Sequence, residues 1–222
     1  MEKIKLTKVC RILIAAAGVC LMAALLLLYR PSYYVPSVVV DDNKVSPYLS
    51  HILLPEIYNG LQTGEPFEIV LTEEGVNDII VRLGWPKVKG SLSFSVPQVF
   101  FKANKIIIAS PVKFKGVELM ATALIRPGID QEGLLGLPIK KIKLGAVRFT
   151  IAGKAIAKRA LNRQMGGMNP GVGDFGRLVV GSLFDNEGFE PVFDIEANKK
   201  IRVQRIIVEQ GKLTIGLTAL SE

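Results

Sequence analysis

Residues 12 to 29, with the sequence ILIAAAGVCLMAALLLLY, form one apolar run without a charged side chain. Eighteen helical residues at a rise of about 1.5 Å each span roughly 27 Å, close to the hydrocarbon thickness of a bilayer. Basic residues are more frequent before the run than after it: Lys3, Lys5, Lys8 and Arg11 precede it, and Arg30 alone follows directly. Under the positive-inside rule, the sequence predicts that residues 1–30 are a cytoplasmic basic tip and a single-pass membrane anchor. The rest of the chain is then expected in the periplasm or at the cell surface.

Two other interpretations of the same run are a cleaved secretory signal and a lipoprotein anchor. A signal peptide has a similar basic start and apolar centre. The residues after the run, YRPSYYVP, contain no small-x-small cleavage site, so an uncleaved anchor is favoured. Lipid attachment at Cys20 is disfavoured because apolar residues continue beyond it.

The charge and cysteine content restrict what the remaining domain does. Of the net charge of +8, the first thirty residues contribute five basic and one acidic side chain, or +4, which leaves +4 for the rest. This excess is too weak to indicate a nucleic-acid partner, but it suits a domain near anionic lipid. Cys10 and Cys20 lie in or beside the apolar run, so no disulfide or thiolate metal site is expected in the domain.

The segment of residues 31–65 is rich in proline and predicts a stalk or lead-in with one short helix. Strand-like alternation starts at Phe67, and a helix is predicted directly afterwards. Thr72 is suited to be its N-cap, because a hydroxyl can accept from a free amide of the first turn. Gly84 is suited to close the helix in a left-handed conformation. Its predicted buried stripe repeats at helical spacing: Val76, Ile79, Ile80 and Leu83.

Strands are predicted over most of the remaining sequence, at 91–97, 105–110, 111–128 and 140–151 and in a C-terminal hairpin that turns at Gln210–Gly211. Strands with one apolar face indicate an antiparallel sheet covered on one side. Helices at 154–165 and 175–184, separated by a glycine-rich loop, are expected to contribute to the cover, with Ile156, Ala157, Ala160 and Leu161 on one arc. The predicted fold class is α+β: an anchor helix, then a curved, mainly antiparallel sheet with a few helices on its concave face, over residues 66–222.

The sequence offers no catalytic or cofactor constellation. GVGDFG matches G-x-G-x-x-G, but a basic segment and Pro170 precede it, where a dinucleotide fingerprint requires an apolar strand. His51 is the only histidine and has no ligand partner at metal-binding spacing. Since there is also no nucleophile motif, we expect a protein that is not an enzyme and has no metal or cofactor.

FEIVLTEEGVNDIIVRL, GLPIKKIKLG and the terminal IRVQRIIVEQGKLTIGL resemble the YpmS-like and LmeA-like bacterial envelope proteins, which are related to tubular lipid-binding domains. The resemblance covers residues 65–220 and includes an LT-x-x-x-x-N start at Leu71, Thr72 and Asn77. It implies an apolar groove for acyl chains in the curved sheet. The groove candidates are Val76, Ile80, Leu83, Phe94, Leu119, Ala121, Ile125, Val147, Phe149, Leu213, Ile215 and Leu217.

These observations lead to two hypotheses. The first is a membrane-anchored, extracytoplasmic, non-enzymatic domain that binds lipid, with membrane lipid as its partner. The second is a structural or assembly partner of an envelope protein complex, because an apolar concave face is equally what a filled core requires. The basic residues Lys154, Lys158, Arg159 and Arg163 are candidates for contact with lipid headgroups, or else form an ordinary solvated helix face.

Overall fold

The computed structural model of the 222-residue chain describes residues 2–36, 45–165, 170–196 and 199–220. Within these ranges, the structure describes only the backbone of residues 2–12, 89, 160, 163–165, 170–174, 195, 196 and 199. The helices are α1 (Glu2–Leu28), α2 (Leu54–Thr63), α3 (Glu73–Val81), α4 (Thr150–Met165) and α5 (Pro170–Asp185), and a π-helical turn (Leu49–Leu53) leads into α2. Within the described residues, no helix combines the length and the hydropathy that a membrane span requires.

The strands form two main sheets. They are β1 (Phe67–Thr72), β2 (Lys87–Lys89), β3 (Leu92–Phe94), β4 (Gln98–Lys102), β5 (Lys105–Phe114), β6 (Val117–Ile125) and β7 (Gly128–Ile129). They continue with β8 (Leu135–Gly136), β9 (Ile139–Leu144), β10 (Val147–Arg148), β11 (Val192–Glu196), β12 (Lys199–Glu209) and β13 (Lys212–Leu220). Sheet A has the order β1-β13-β12-β11, and sheet B has the order β10-β9-β6-β5-β3-β2, with β4 also paired to β5. All described pairings are antiparallel, which confirms an α+β fold with mainly antiparallel sheets, but the predicted single sheet is divided.

Helix α2 covers one face of sheet A. Leu61 is buried against Ile69, Val203 and Leu217, and Ile57 packs on the same cluster. The chain between residues 46 and 65, expected as a stalk, therefore belongs to the packed domain.

Helices α4 and α5 cover part of sheet B. Val180 and Phe184 of α5 pack against Ile125, and Ala157 of α4 joins this cluster. The predicted arc of α4 is wrong in part, because Ile156 and Leu161 are exposed. Gly153 makes the close approach instead, since a Cβ there would lie 2.9 Å from Ile142 Cγ2.

The glycine-rich segment 171–176 is helical and not the expected loop. The described part of helix α5 covers Pro170–Asp185. Phe175 packs edge-on against Phe193, with ring centroids 5.5 Å apart, and against Phe189 at 6.5 Å. These tertiary contacts stabilise a helix whose sequence has poor intrinsic propensity.

The opposite face of sheet B is covered by the chain that follows α1. Tyr34 packs on a buried cluster of Phe100, Ala109 and Met120. The Tyr33 ring lies edge-on to Phe100, with centroids 5.0 Å apart. Burial is the main cause that raises the pKa of both tyrosines above 10.0.

Two turn predictions had opposite outcomes. The C-terminal hairpin at Gln210–Gly211 is confirmed, with Gly211 at a φ of 79°. The long strand predicted over 111–128 is wrong, because Lys115 (φ 46°) and Gly116 (φ 86°) form a tight turn between β5 and β6. Two successive residues with positive φ match the right-handed twist of a hairpin.

Candidate functional site

Helix α3 lies between the two sheets, and its start is built as the sequence predicts. The Thr72 hydroxyl accepts from the backbone N–H of Gly75 at 3.1 Å. Gly84 has a φ of 66°, as expected for the residue that closes the helix. The helix ends at Val81, so Leu83 lies beyond its last turn and is exposed.

Two side chains of α3 bind the edge of β4. Asn77 donates from Nδ2 to the carbonyl of Val99 and accepts from the N–H of Val99, both at 2.8 Å. Glu73 Oε2 accepts from the N–H of Phe101 at 2.8 Å. These bonds take the place of a neighbouring strand on β4, whose edge groups would otherwise be unpaired.

The turn of the C-terminal hairpin closes the same junction. The N–H of Glu73 donates to the carbonyl of Gly211 at 2.9 Å, and the N–H of Gly211 donates to the carbonyl of Phe101 at 3.1 Å. The N–H of Asn104 donates to the carbonyl of Val208 at 2.9 Å. Sheet A, α3 and sheet B are thus joined through backbone groups at one place.

The edge strand β1 of sheet A is closed by Tyr48. Its hydroxyl donates to the carbonyl of Val70 and accepts from the N–H of Thr72, both at 3.1 Å. The Tyr48 ring occupies the space that a Cβ at Gly75 would need. A glycine in the first turn of α3 is therefore required by this contact.

A buried serine and a carboxylate fix the outer side of α3. The Ser46 hydroxyl donates to Asp78, and the Arg82 guanidinium donates to Asp78 Oδ1 at 3.0 Å. The hydrogen bond from Ser46 is the main cause that lowers the pKa of Asp78 below 3.8, and Arg82 adds to it, while burial opposes the shift.

Surface depressions of moderate size lie on sheet A. One of about 480 Å³ is lined by Tyr48, Ile52 and Val70 together with the start of α3. Another of about 400 Å³ is lined by Phe67, Arg205 and Leu217, the last of which is a predicted groove residue. Both are open to solvent and lie away from the predicted groove residues of sheet B.

The structure distributes the predicted groove residues over several places. Val76, Ile80, Leu213 and Ile215 pack with Val99, Phe101 and Val208 in one cluster between α3, β4 and the C-terminal hairpin. Ile125 belongs to the cluster under α5, and Leu217 belongs to the cluster under α2. Leu83 and Phe149 are exposed. The twelve predicted residues therefore do not line a single groove.

The remaining four candidates, Phe94, Leu119, Ala121 and Val147, share one face of sheet B. Phe94 pairs with Val112, which pairs with Leu119, and Ala121 pairs with Leu144, which pairs with Val147. Directly paired residues of antiparallel strands point to the same face, as do residues two apart on one strand. All six are half-buried, and among the described residues they lie outside the four buried clusters. We call these six residues the apolar stripe.

The four basic residues of α4 that were predicted to contact lipid headgroups differ in their burial and in their partners. Lys158 Nζ donates to Asp185 at 2.6 Å and joins α4 to α5. Lys154 is half-buried and Arg159 is exposed, whereas the Arg163 side chain lies outside the described residues. Lys158 therefore has a structural partner within the chain.

Groups suited to metal binding do not come together in the part of the chain that the structure describes, where no three His, Cys, Asp or Glu residues converge. His51 is exposed, and its Nδ1 lies 3.0 Å from the Ser50 hydroxyl and 3.2 Å from the carbonyl of Pro47.

Sequence reasoning missed the residues that close the sheet edges. Asn77 was identified only as part of an LT-x-x-x-x-N pattern, and neither Tyr48 nor Glu73 was assigned a contact. The signal that could have identified Asn77 is its position as a polar residue on the side of a short helix that faces a strand.

The chain was also compared with protein-family models, curated proteins and solved structures, and none of them matches it.

Proposed function

We propose that this protein is a membrane-anchored, extracytoplasmic and non-enzymatic domain that binds an acyl chain of a lipid along the apolar stripe. The observation that carries this proposal is the stripe itself, which crosses five neighbouring strands at half burial outside the packed clusters. Each methylene of a ligand that leaves water on such a surface contributes about 0.8 kcal/mol. The resemblance to tubular lipid-binding domains agrees with this ligand class.

The proposed anchor is the uncharged run at residues 12–29. Its large side chains are exposed along the helix, among them Leu13, Ile14, Val19, Leu21 and Met22. Exposed apolar surface of this extent is typical of a contact with lipid or protein. The end of α1 lies next to sheet B, because the N–H of Ala146 donates to the carbonyl of Leu26 at 2.7 Å. A lipid leaving the bilayer beside α1 would therefore meet the sheet that carries the stripe.

The test uses the full chain in phospholipid nanodiscs that contain a diazirine-labelled phospholipid. After irradiation, labelled peptides are located by mass spectrometry, and lipid binding predicts adducts on peptides that contain Leu119 and Leu144. Adducts on residues 12–29 report the anchor separately.

A tryptophan substitution tests the proposal quantitatively, through the amount of adduct and the melting temperature. Ala121→Trp fills the stripe and should remove most of its adducts while it lowers the melting temperature little, because Ala121 is half-buried and lies outside the four buried clusters. Ala155→Trp, on an exposed position of α4, is the matched control and should change neither quantity. In a close-packed core, Ala121→Trp would instead cost roughly 1 to 3 kcal/mol. That result, with no adducts on sheet B in the parent chain, would exclude lipid binding at the stripe.

The alternative function is a structural or assembly role with an envelope protein partner. It is favoured by exposed apolar residues on α4 and α5: Ile151, Ile156, Phe175 and Leu178. A chain without stripe adducts that retains a stoichiometric protein partner through these residues would support this role.

A further inference from the structure

The β2–β3 and β5–β6 turns lie side by side at one end of sheet B, and the β9–β10 turn points toward the same end from a position four residues further in. Phe114, at the end of β5, pairs with Leu92, at the start of β3, and Ala121 of β6 pairs with Leu144, at the end of β9. We call the residues 87–92, 113–118 and 143–148 at this end the rim.

The rim lies beside the end of α1. Glu118 forms an ion pair with Arg30, the first charged residue after the apolar run. The Ala146 N–H donates to the carbonyl of Leu26, and the backbone of Leu27 touches Gly145 closely enough to exclude a Cβ there. Leu26 precedes the end of the run at Tyr29 by three residues, or about 5 Å of helix.

The rim exposes apolar side chains that the packing of the domain does not require. Val88 is 69% exposed, Val117 is 50% exposed and Phe114 is 43% exposed. Phe114 and Val117 flank the tight turn at Lys115–Gly116, where polar residues are the usual choice, and Val88 lies in β2, two residues before the next turn. An aromatic residue and aliphatic residues at loop tips match the groups that enter the boundary between headgroups and acyl chains.

The rim is predominantly basic. Its three segments contain six basic residues, Lys87, Lys89, Lys113, Lys115, Lys143 and Arg148, and one acidic residue, Glu118, which Arg30 already neutralises. Lys115 Nζ lies 5.6 Å from the centre of the Phe114 ring, and Lys87 Nζ lies 5.7 Å from the centre of the Trp85 ring. Basic side chains beside the exposed ring of Phe114 favour anionic lipid headgroups.

We infer that the rim docks on the anionic surface of the membrane, with Phe114 and Val117 inserted at the headgroup boundary. This inference rests on the proposed anchor, which would hold the rim within reach of the bilayer. Docking would fix the orientation of sheet B, so that the apolar stripe opens toward the lipid surface. The headgroup contacts expected on α4 are then replaced by contacts on the rim.

The experiment measures the depth of single fluorophores in the full chain, reconstituted into phosphatidylcholine vesicles with and without phosphatidylglycerol. The rim probe is a dye on Phe114→Cys in a chain with Cys10→Ala and Cys20→Ala, and Val117→Cys is a second rim position. Ala103→Cys is the matched control, since it lies exposed in the turn at the opposite end of β5. The anchor probe is Cys20 itself in a Cys10→Ala chain.

A nitroxide on the upper acyl chain should quench both rim probes and leave Ala103→Cys unquenched. Replacing Lys113 and Lys115 by glutamine should lower the docking equilibrium about fivefold per lysine, and only in vesicles with phosphatidylglycerol. Cys20, in the middle of the run, is read with a nitroxide near the end of the acyl chain. Unquenched rim probes with a Cys20 probe quenched by that deep nitroxide would overturn the rim inference and leave the anchor. A Cys20 probe that the deep nitroxide does not quench would overturn the anchor, and quenched rim probes in that case would support docking of the rim by itself.

Discussion

Asn77→Ala tests whether the junction between α3 and β4 supports the fold. The substitution removes both hydrogen bonds to Val99, whose side chain and backbone lie in the interior at 7% exposure. Each buried backbone group left without a partner costs about 1 to 3 kcal/mol, so the two together cost about 2 to 6 kcal/mol. Alanine recovers at most about 0.7 kcal/mol through its higher helix propensity. The free energy of unfolding should therefore fall by about 1 to 5 kcal/mol.

The measurement is denaturant unfolding of the full chain in a mild detergent, followed by fluorescence of Trp85. Trp85 is the only tryptophan, and its Nε1–H donates to the carbonyl of Ile80 in α3 at 2.7 Å, so its emission reports the docking of this helix. Asn59→Ala is the matched control, because Asn59 is an exposed asparagine on α2. The control should be neutral or slightly stabilising. If both variants shift the unfolding midpoint equally little, the side-chain closure of β4 does not stabilise the domain.

Two further predictions concern the same helix. Gly75→Ala should lower the melting temperature although alanine is the better helix former, because its Cβ would overlap the Tyr48 ring. In a chain that also carries Tyr48→Ala, the same substitution should no longer lower the melting temperature. An equal decrease with and without Tyr48→Ala would contradict the contact. The pKa of Asp78 is lowered mainly by the hydrogen bond from Ser46, so its contribution to stability is present above pH 3.8 and is lost as the pH falls through the lower folded value. Asp78→Asn should make the free energy of unfolding depend less on pH in this acid range, as measured by denaturant unfolding at several pH values. An unchanged pH dependence would show that Asp78 is not the group responsible.

The features that the sequence predicts well are those decided within a few residues. Thr72 caps α3 because its own side chain reaches the N–H of Gly75, and Gly211 forms a hairpin turn because it adopts a positive φ without a steric penalty. The alternation of Leu119 and Ala121 also places them on one face of a strand without knowledge of the partner strands.

The features that the sequence did not predict depend on distant partners. The division into two sheets follows from the pairing of β1 with β13, which joins Ile69 to Ile215, and local alternation carries no information on this choice. The packing of α2 had a readable signal, because Leu53, Ile57 and Leu61 recur every four residues. The turn at Lys115–Gly116 was missed because apolar residues continue on both sides of it, so that only Gly116 marked the reversal.

The junction and Ala121 of the apolar stripe lie on different strands of sheet B, and this separation allows stability and ligand binding to be tested independently. Val99 of β4 pairs with Ile108 of β5, whereas Ala121 of β6 pairs with Ser110, two residues further along β5 and on its other side. At about 3.4 Å per residue and about 4.8 Å per strand spacing, Val99 and Ala121 are roughly 12 Å apart, beyond the distance at which substitutions usually couple. Asn77→Ala should therefore lower the unfolding free energy with little change in the adducts per folded molecule, and Ala121→Trp should do the reverse. Loss of both quantities in both variants would mean that the stripe is part of the same packed core as the junction.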